Sequence, residues 1–264
     1  GLHTPTLTPI LNTDGTYNSA ERFNNPYLLL ENSNHHANGS HLIANTFLKW
    51  QLLNNLSFKT SWSIDNSTYH EFVYYNAKMN EGKSTNGSAT DVNTTNKLWI
   101  AEQLINYYTS IGEKNFISLF LGNTLQRNVV ERASITGTNF PGIEFTTISS
   151  AAVTTGSTSG KIPSGIISYF GGANYSYADK YSADFNFRAD ASSRFGKSNK
   201  WGYFPSGGVS WRIGQETFIK DNLPAVSELK VKASIGWTGN QEIADFASLG
   251  LWTGGSNYLD LPGI

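Results

Sequence analysis

The chain has 264 residues, of which 39% are hydrophobic, 13% aromatic and only 15% charged, with a formal net charge of −1, 25 glycines and no cysteine. Near-neutral charge excludes the basic field that a nucleic-acid binder carries, and the lack of cysteine excludes disulfide frameworks and thiolate metal sites. No run of about 18 apolar residues is available for a membrane-spanning helix, although a spanning barrel strand needs only about 9–11 residues of alternating character.

In chain order, His35, His36 and His41 fall in a polar stretch without carboxylates at ligand spacing, and they read as solvated loop histidines rather than a metal site. The first strand is expected over 41–52, and Leu53-Asn54-Asn55 is a tight turn. In the next strand, 56–66, Leu56, Phe58, Trp62 and Ile64 alternate with Ser57, Lys59, Ser61, Ser63 and Asp65. A period of two belongs to a strand, since a helix would scatter both sets around its cylinder.

A long polar loop follows over 67–96. Its aromatics Tyr69, Phe72, Tyr74 and Tyr75 suit a hydrophobic loop core or, less commonly, stacking on sugar rings. Asn-x-Ser/Thr triplets such as Asn66-Ser67-Thr68 and Asn93-Thr94-Thr95 follow from composition alone. Strands at 97–110 and 115–130 flank the turn Gly112-Glu113-Lys114, and a second long polar loop covers 131–164. Strand 165–177 holds Gly171-Gly172, which reads as a close approach or bend.

After the turn Ala178-Asp179-Lys180, strand 180–191 places Tyr181, Ala183, Phe185, Phe187 and Ala189 opposite Ser182, Asp184, Asn186, Arg188 and Asp190. A shorter loop at 192–200 leads to strand 202–213. There Tyr203, Val209, Trp211 and Ile213 oppose Gly202, Ser206, Gly208, Ser210 and Arg212, and Phe204 breaks the pattern. The connection 214–228 contains Gln215-Glu216-Thr217-Phe218-Ile219-Lys220, a candidate short helix. Strand 228–238 then sets Leu229, Val231, Ala233, Ile235 and Trp237 against Lys230, Lys232, Ser234, Gly236 and Thr238. A ninth strand is expected near Ala247.

These runs exceed the 5–6 residues usual in soluble sheets. Connections alternate between tight turns and long loops, the arrangement of an outer-membrane barrel with short periplasmic turns and long extracellular loops. Arg188, Lys230 or Lys232 facing lipid at mid-depth would each cost roughly 2–4 kcal/mol, so the apolar set must face outward and the charged set the lumen. Asp184, Arg188 and Asp190 then form a lumenal charge network rather than a catalytic pair. Trp50, Trp62, Trp201, Trp211, Trp237, Tyr107, Tyr108, Tyr175 and Tyr177 fall where an interfacial aromatic girdle requires them. No nucleotide motif, catalytic constellation, cofactor site or metal site emerges.

The residues from Asn174 to Asn240 carry a resemblance. They run Asn174-Tyr175-Ser176-Tyr177, Asp179-Lys180-Tyr181, then Arg188-Ala189-Asp190-Ala191-Ser192-Ser193-Arg194-Phe195-Gly196. Trp201-Gly202-Tyr203-Phe204-Pro205-Ser206, Trp211-Arg212-Ile213 and Glu216-Thr217-Phe218 follow. Glu228-Leu229-Lys230-Val231-Lys232-Ala233-Ser234-Ile235-Gly236-Trp237-Thr238-Gly239-Asn240 ends the series. In order and spacing this resembles the barrel signature of SusC/RagA-type TonB-dependent outer-membrane proteins. The chain departs from it at Ala191, where the family usually has Gly, and at Ala173, where it commonly has Arg. Asn25-Pro26 and the strands up to about 130 resemble the preceding barrel region more loosely.

The resemblance implies an all-β, antiparallel transmembrane barrel segment of eight or nine strands, from a barrel of about 22. Residues 1–264 are accordingly expected to be part of one receptor barrel domain in the outer membrane of a Gram-negative bacterium, with plug domain, TonB box and closing strands absent. The implied function is TonB-energised import of glycan oligosaccharides or peptides, without catalysis. Implied partners are outer-membrane lipid, a SusD-like surface lipoprotein, the TonB complex through the missing N-terminal part, and the glycan or peptide. A soluble β-sheet carbohydrate-binding module is the alternative. It predicts shorter strands and aliphatic residues facing each other across two sheets.

Overall fold

A computed structural model describes residues 9–18, 25–196, 199–223, 225–240, 243, 256–258 and 261–263. Eight antiparallel strands form one sheet in strict sequence order: β1 (Ser33–Leu53), β2 (Leu56–Tyr75), β3 (Ser88–Ile111), β4 (Asn115–Thr138), β5 (Val153–Tyr177), β6 (Tyr181–Ser192), β7 (Trp201–Trp211) and β8 (Val231–Gly236). Two short strands, β9 (Ser256–Tyr258) and β10 (Leu261–Gly263), pair with each other. The expected ninth strand near Ala247 lies outside the described residues. Among the described residues no helix is long and apolar enough to cross a membrane.

The first five strands are far longer than their alternation indicated, at 20–25 residues. Most of the loops expected at 67–96 and 131–164 is therefore strand, and the true connections are 76–87 and 139–152. Thr, Ser and Asn do not break a ladder, and threonine favours one. Cross-strand hydroxyl pairs such as Thr90–Thr136 (3.2 Å) fill the polar faces instead of apolar contacts. The tight turns fall as read. Ala178 and Asp179 take left-handed backbone (φ 52° and 56°), as does Gly112 (φ 62°), the twist that closes a short hairpin. The connection after β7 holds a 3-10 turn, Ile213–Gln215, and the expected helix, here named for residues Thr217–Asn222.

The chain divides into two compact units. One comprises Gly1–Leu42, Asp65–Lys97 and Val129–Ile162; the other comprises Ile43–Ile64, Leu98–Asn128 and Pro163–Ile264. In the first unit Phe72, Tyr74, Ala89 and Phe140 form a small core, with Ile148 and Ala151 against it. Tyr74 meets Phe140 edge-on at 5.2 Å. The loop-core reading therefore holds for Phe72 and Tyr74, whereas Tyr69 stays half exposed. A seven-residue helix, Pro26–Asn32, is capped by Asn25, whose side chain accepts from the Tyr27 N–H. Asn76 Nδ2 donates to Asn32 Oδ1 at 2.7 Å, tying this helix to the 76–87 connection.

Candidate functional site

In the second unit the ladders from β5 to β8 decide which side chains share a face. Tyr177, Tyr181 and Trp211 are register partners in one row, and Ile167, Ala191 and Trp201 in another. Between these two rows lie Tyr175–Ala183–Val209, Ala173–Phe185–Gly207, Gly171–Phe187–Pro205 and Tyr169–Ala189–Tyr203. Strand β8 extends the face with Val231, Ala233 and Ile235 opposite Trp211, Val209 and Gly207. Tyr203 is 62% exposed, Val209 60% and Ile235 69%, so this apolar face has no protein partner among the described residues. A patch of that extent needs an apolar solvent or a partner.

Its aromatics concentrate at the two ends. Tyr177 stacks on Tyr181 at 6.4 Å and Tyr181 on Trp211 at 6.2 Å. At the other end Tyr169 stacks on Trp201 at 6.1 Å and Phe187 on Tyr203 at 6.2 Å. From Tyr181 to Ala191 is ten strand steps, about 33 Å at ~3.3 Å per residue. Tilted by about 40°, that projects to roughly 25 Å, the height of the apolar band of a transmembrane barrel. Indole and phenol rings towards both edges, with the phenyl rings of Phe185 and Phe187 and aliphatic and small residues between them, match an interface–hydrocarbon–interface profile.

The row at the tight-turn end is locked by Glu216. Its carboxylate accepts from Lys180 Nζ (2.8 Å), Tyr181 Oη (2.7 Å) and Trp211 Nε1 (3.1 Å). These three donors, Lys180 first, pull the Glu216 acid down to about 2 from its ordinary 4.5. One carboxylate thus fixes the ends of two strands and the entry to the helix at Thr217.

The opposite face carries the polar set. Arg188 Nε reaches both oxygens of Asp190 (2.8 and 2.9 Å), and its Nη2 donates to Ser168 Oγ at 3.0 Å. Asp184 accepts from Asn186 instead (3.4 Å) and stands apart from Arg188, so the expected network is two pairs rather than one cluster. Three phenylalanines also stand on this face, each seated on glycine. A Cβ on Gly172 would lie 2.6 Å from the Phe120 ring, one on Gly122 2.6 Å from Phe170, and one on Gly202 2.6 Å from Phe204. Phe204, the residue that broke the alternation, fills the space its glycine partner leaves. The Arg188 guanidinium lies 5.7 Å from the centre of Phe170.

The histidines need correction. His35, His36 and His41 lie in β1 rather than in a loop, and of these three His41 has a carboxylate beside it. His41 Nε2 is 2.7 Å from Asp65, and His70 Nε2 is 3.0 Å from Asp91. Both acids sit on another strand, so sequence spacing could not reveal them. Among the described residues no group of three potential metal ligands comes together.

No protein-family profile matches the chain. It is 32% identical over 247 residues to TonB-dependent receptor P3 of Formosa agariphila, which covers 91% of this chain and 24% of the relative. It is 44% identical over 98 residues to TonB-dependent receptor SusC of Bacteroides thetaiotaomicron, covering 37% of this chain and 10% of SusC. Among solved structures, the RagAB peptide importer in its closed-closed state superposes with a TM-score of 0.80 at 20% identity. That match covers 91% of this chain and 27% of the other. The chain therefore spans about a quarter of the length of the relatives it matches end to end.

Proposed function

The chain belongs to the SusC/RagA type of TonB-dependent outer-membrane proteins, and from that premise we propose that it forms part of the barrel wall of an energised nutrient importer. In this reading residues 1–264 are one stretch of a single barrel domain. The plug, the TonB-contacting segment and the closing strands belong to the remainder of a longer receptor. The observation that carries it is the two-faced wall. Its apolar, aromatic-edged rows form an outward surface about 25 Å high, and its Arg188–Asp190 face lines the lumen. In one continuous sheet the first seven strands run 11–25 residues, against the binding-module alternative, which requires two short-stranded sheets face to face.

Imported cargo is of the glycan-oligosaccharide or peptide class, captured together with a SusD-like surface lipoprotein and driven by TonB. The connections 76–87 and 139–152 are the natural contacts for lipoprotein and cargo, since both lie at the strand ends opposite the tight turns. The test uses the intact receptor. Removing it from its host should abolish uptake of the cognate oligosaccharide or peptide, as should removing TonB. Excising 139–152 should release the lipoprotein in co-purification. Uptake that survives loss of both receptor and TonB overturns the importer reading, and undiminished lipoprotein binding overturns the role of the connections.

A further inference from the structure

On the polar face of the second unit, two phenylalanines flank a closed ion pair. Phe170, Arg188 and Phe204 are register partners on β5, β6 and β7. The row on their loop side is Ser168–Asp190–Gly202, and the row on their tight-turn side is Gly172–Asn186–Ser206. Alternation puts all three rows on the face opposite the aromatic-edged ones. Phe170, Asn186, Arg188, Asp190, Phe204 and Ser206 line one depression of about 430 Å³, a volume usual for a small-ligand pocket. Both rings are half-buried, and the Arg188 side chain is 47% exposed. With strands ~4.8 Å apart, the two phenylalanines stand roughly 10 Å from each other across β6.

The chemistry of this depression selects its ligand. Arg188 Nε reaches both Asp190 oxygens and Nη2 donates to Ser168 Oγ, so the guanidinium charge is balanced in place. A guanidinium carries five N–H groups and a carboxylate about four acceptor sites. Among the described residues the pair therefore keeps spare donors and acceptors side by side, with no net charge to attract an anion or a cation. A vicinal diol uses both kinds at once, because each hydroxyl donates and accepts. The half-uncovered phenyl faces on either side suit the apolar C–H face of a pyranose ring. A peptide fits less well. Its main chain binds along an open strand edge, whereas β6 is paired on both sides at these rows. Its charged termini would meet an ion pair that is already neutralised.

We infer that Phe170, Arg188, Asp190 and Phe204 form a subsite for a neutral oligosaccharide on the lumenal wall, with sugar rings on the phenyl faces and hydroxyls on the ion pair between them. The inference rests on the importer reading and narrows its cargo to uncharged glycans. The intact receptor, purified in mild detergent, is probed with an array of neutral oligosaccharides and, in parallel, with a random-sequence peptide library. Neutral oligosaccharides should bind. Phe170→Leu and Phe204→Leu keep the apolar volume and lose the flat face, and each should weaken that binding roughly three- to tenfold. Arg188→Gln/Asp190→Asn removes the pair without leaving a lone charge and should weaken it roughly tenfold or more. Ser182→Ala, on the same face in the Ser176–Ser182–Ser210 row beside the tight turns, should change nothing. Heat-modifiable migration establishes that each variant barrel is folded.

Undiminished binding in all three site variants would move the glycan elsewhere and overturn the subsite. Capture of peptides alone would overturn the ligand class, as would a wild-type receptor that binds no neutral oligosaccharide. Labelling in vesicles with a membrane-impermeant maleimide separates these failures from that of the wall itself. Ser206→Cys should react and be protected by bound oligosaccharide, while Phe185→Cys stays unreactive. An unreactive Ser206→Cys means that another part of the receptor covers the depression, which refutes the subsite alone. A reactive Phe185→Cys refutes the lipid-facing wall, and the importer reading with it.

Discussion

Phe185 offers the sharpest test of the two-faced wall. It is register partner to Ala173 and Gly207, four steps from the Tyr181 row and six from the Ala191 row. At ~3.3 Å per step and a tilt of about 40°, it sits roughly 10 Å from one aromatic edge of a band about 25 Å high, close to mid-depth. More than half of its surface is exposed. Phe185→Arg should therefore destabilise the intact receptor in bilayers by about 2–4 kcal/mol. That corresponds to an unfolded-to-folded ratio roughly 30- to 900-fold higher. Asn186→Arg, one residue away on the Arg188 face, should change it by less than about 1 kcal/mol, since a lumenal charge keeps its water. Urea unfolding of receptor in phosphatidylcholine vesicles, followed by heat-modifiable migration, measures both. Equal losses at 185 and 186, or a larger loss at 186, would refute the assignment of faces.

Three further outcomes follow from the same geometry. Gly172→Val drives a side chain into the Asn186 amide and into the Phe120 ring, which stands 2.6 Å from the Cβ position, and should cost about 1–3 kcal/mol. Adding Phe120→Ala should recover part of that loss in the same urea assay, and a purely additive double variant would disprove the seating. The Glu216 acid is held near 2, below its ordinary 4.5. Its contribution is therefore complete above about pH 4.5 and lost as pH falls towards 2. Trp211 fluorescence of the intact receptor should report a loosening in that window, and Glu216→Gln should remove the pH response. Phe140→Ala takes a buried ring out of the Phe72–Tyr74–Ala89 cluster and should lower local stability by about 3–5 kcal/mol. Limited proteolysis should then cut within 139–152 much faster, while cleavage near 193–200 stays unchanged.

Most of the wall was legible from the order of residues, because alternation is a local property. Tyr181, Phe185 and Phe187 against Asp184, Arg188 and Asp190 need only a pleat to be sorted onto two faces, and a turn such as Ala178-Asp179-Lys180 needs only its own backbone. The facing of Phe120 and Phe170 was not legible, since each replaces a missing side chain on the neighbouring strand, Gly172 on β5 and Gly122 on β4. Sequence read along one strand does not contain its neighbour. The same holds for Glu216, whose three donors come from β6, β7 and the turn before β6, and for His41 and Asp65, separated by 24 residues and joined across a hairpin. Stretches 67–75, 88–96, 131–138 and 153–164 were read as loop from their Thr, Ser, Asn and Gly content. Sheet pairing made them strand, because backbone hydrogen bonds to an adjacent strand outweigh weak local preference. Composition and periodicity thus determined a two-faced, antiparallel wall. Only pairing between distant strands decided how far it extends and which glycines seat the rings of Phe120 and Phe170.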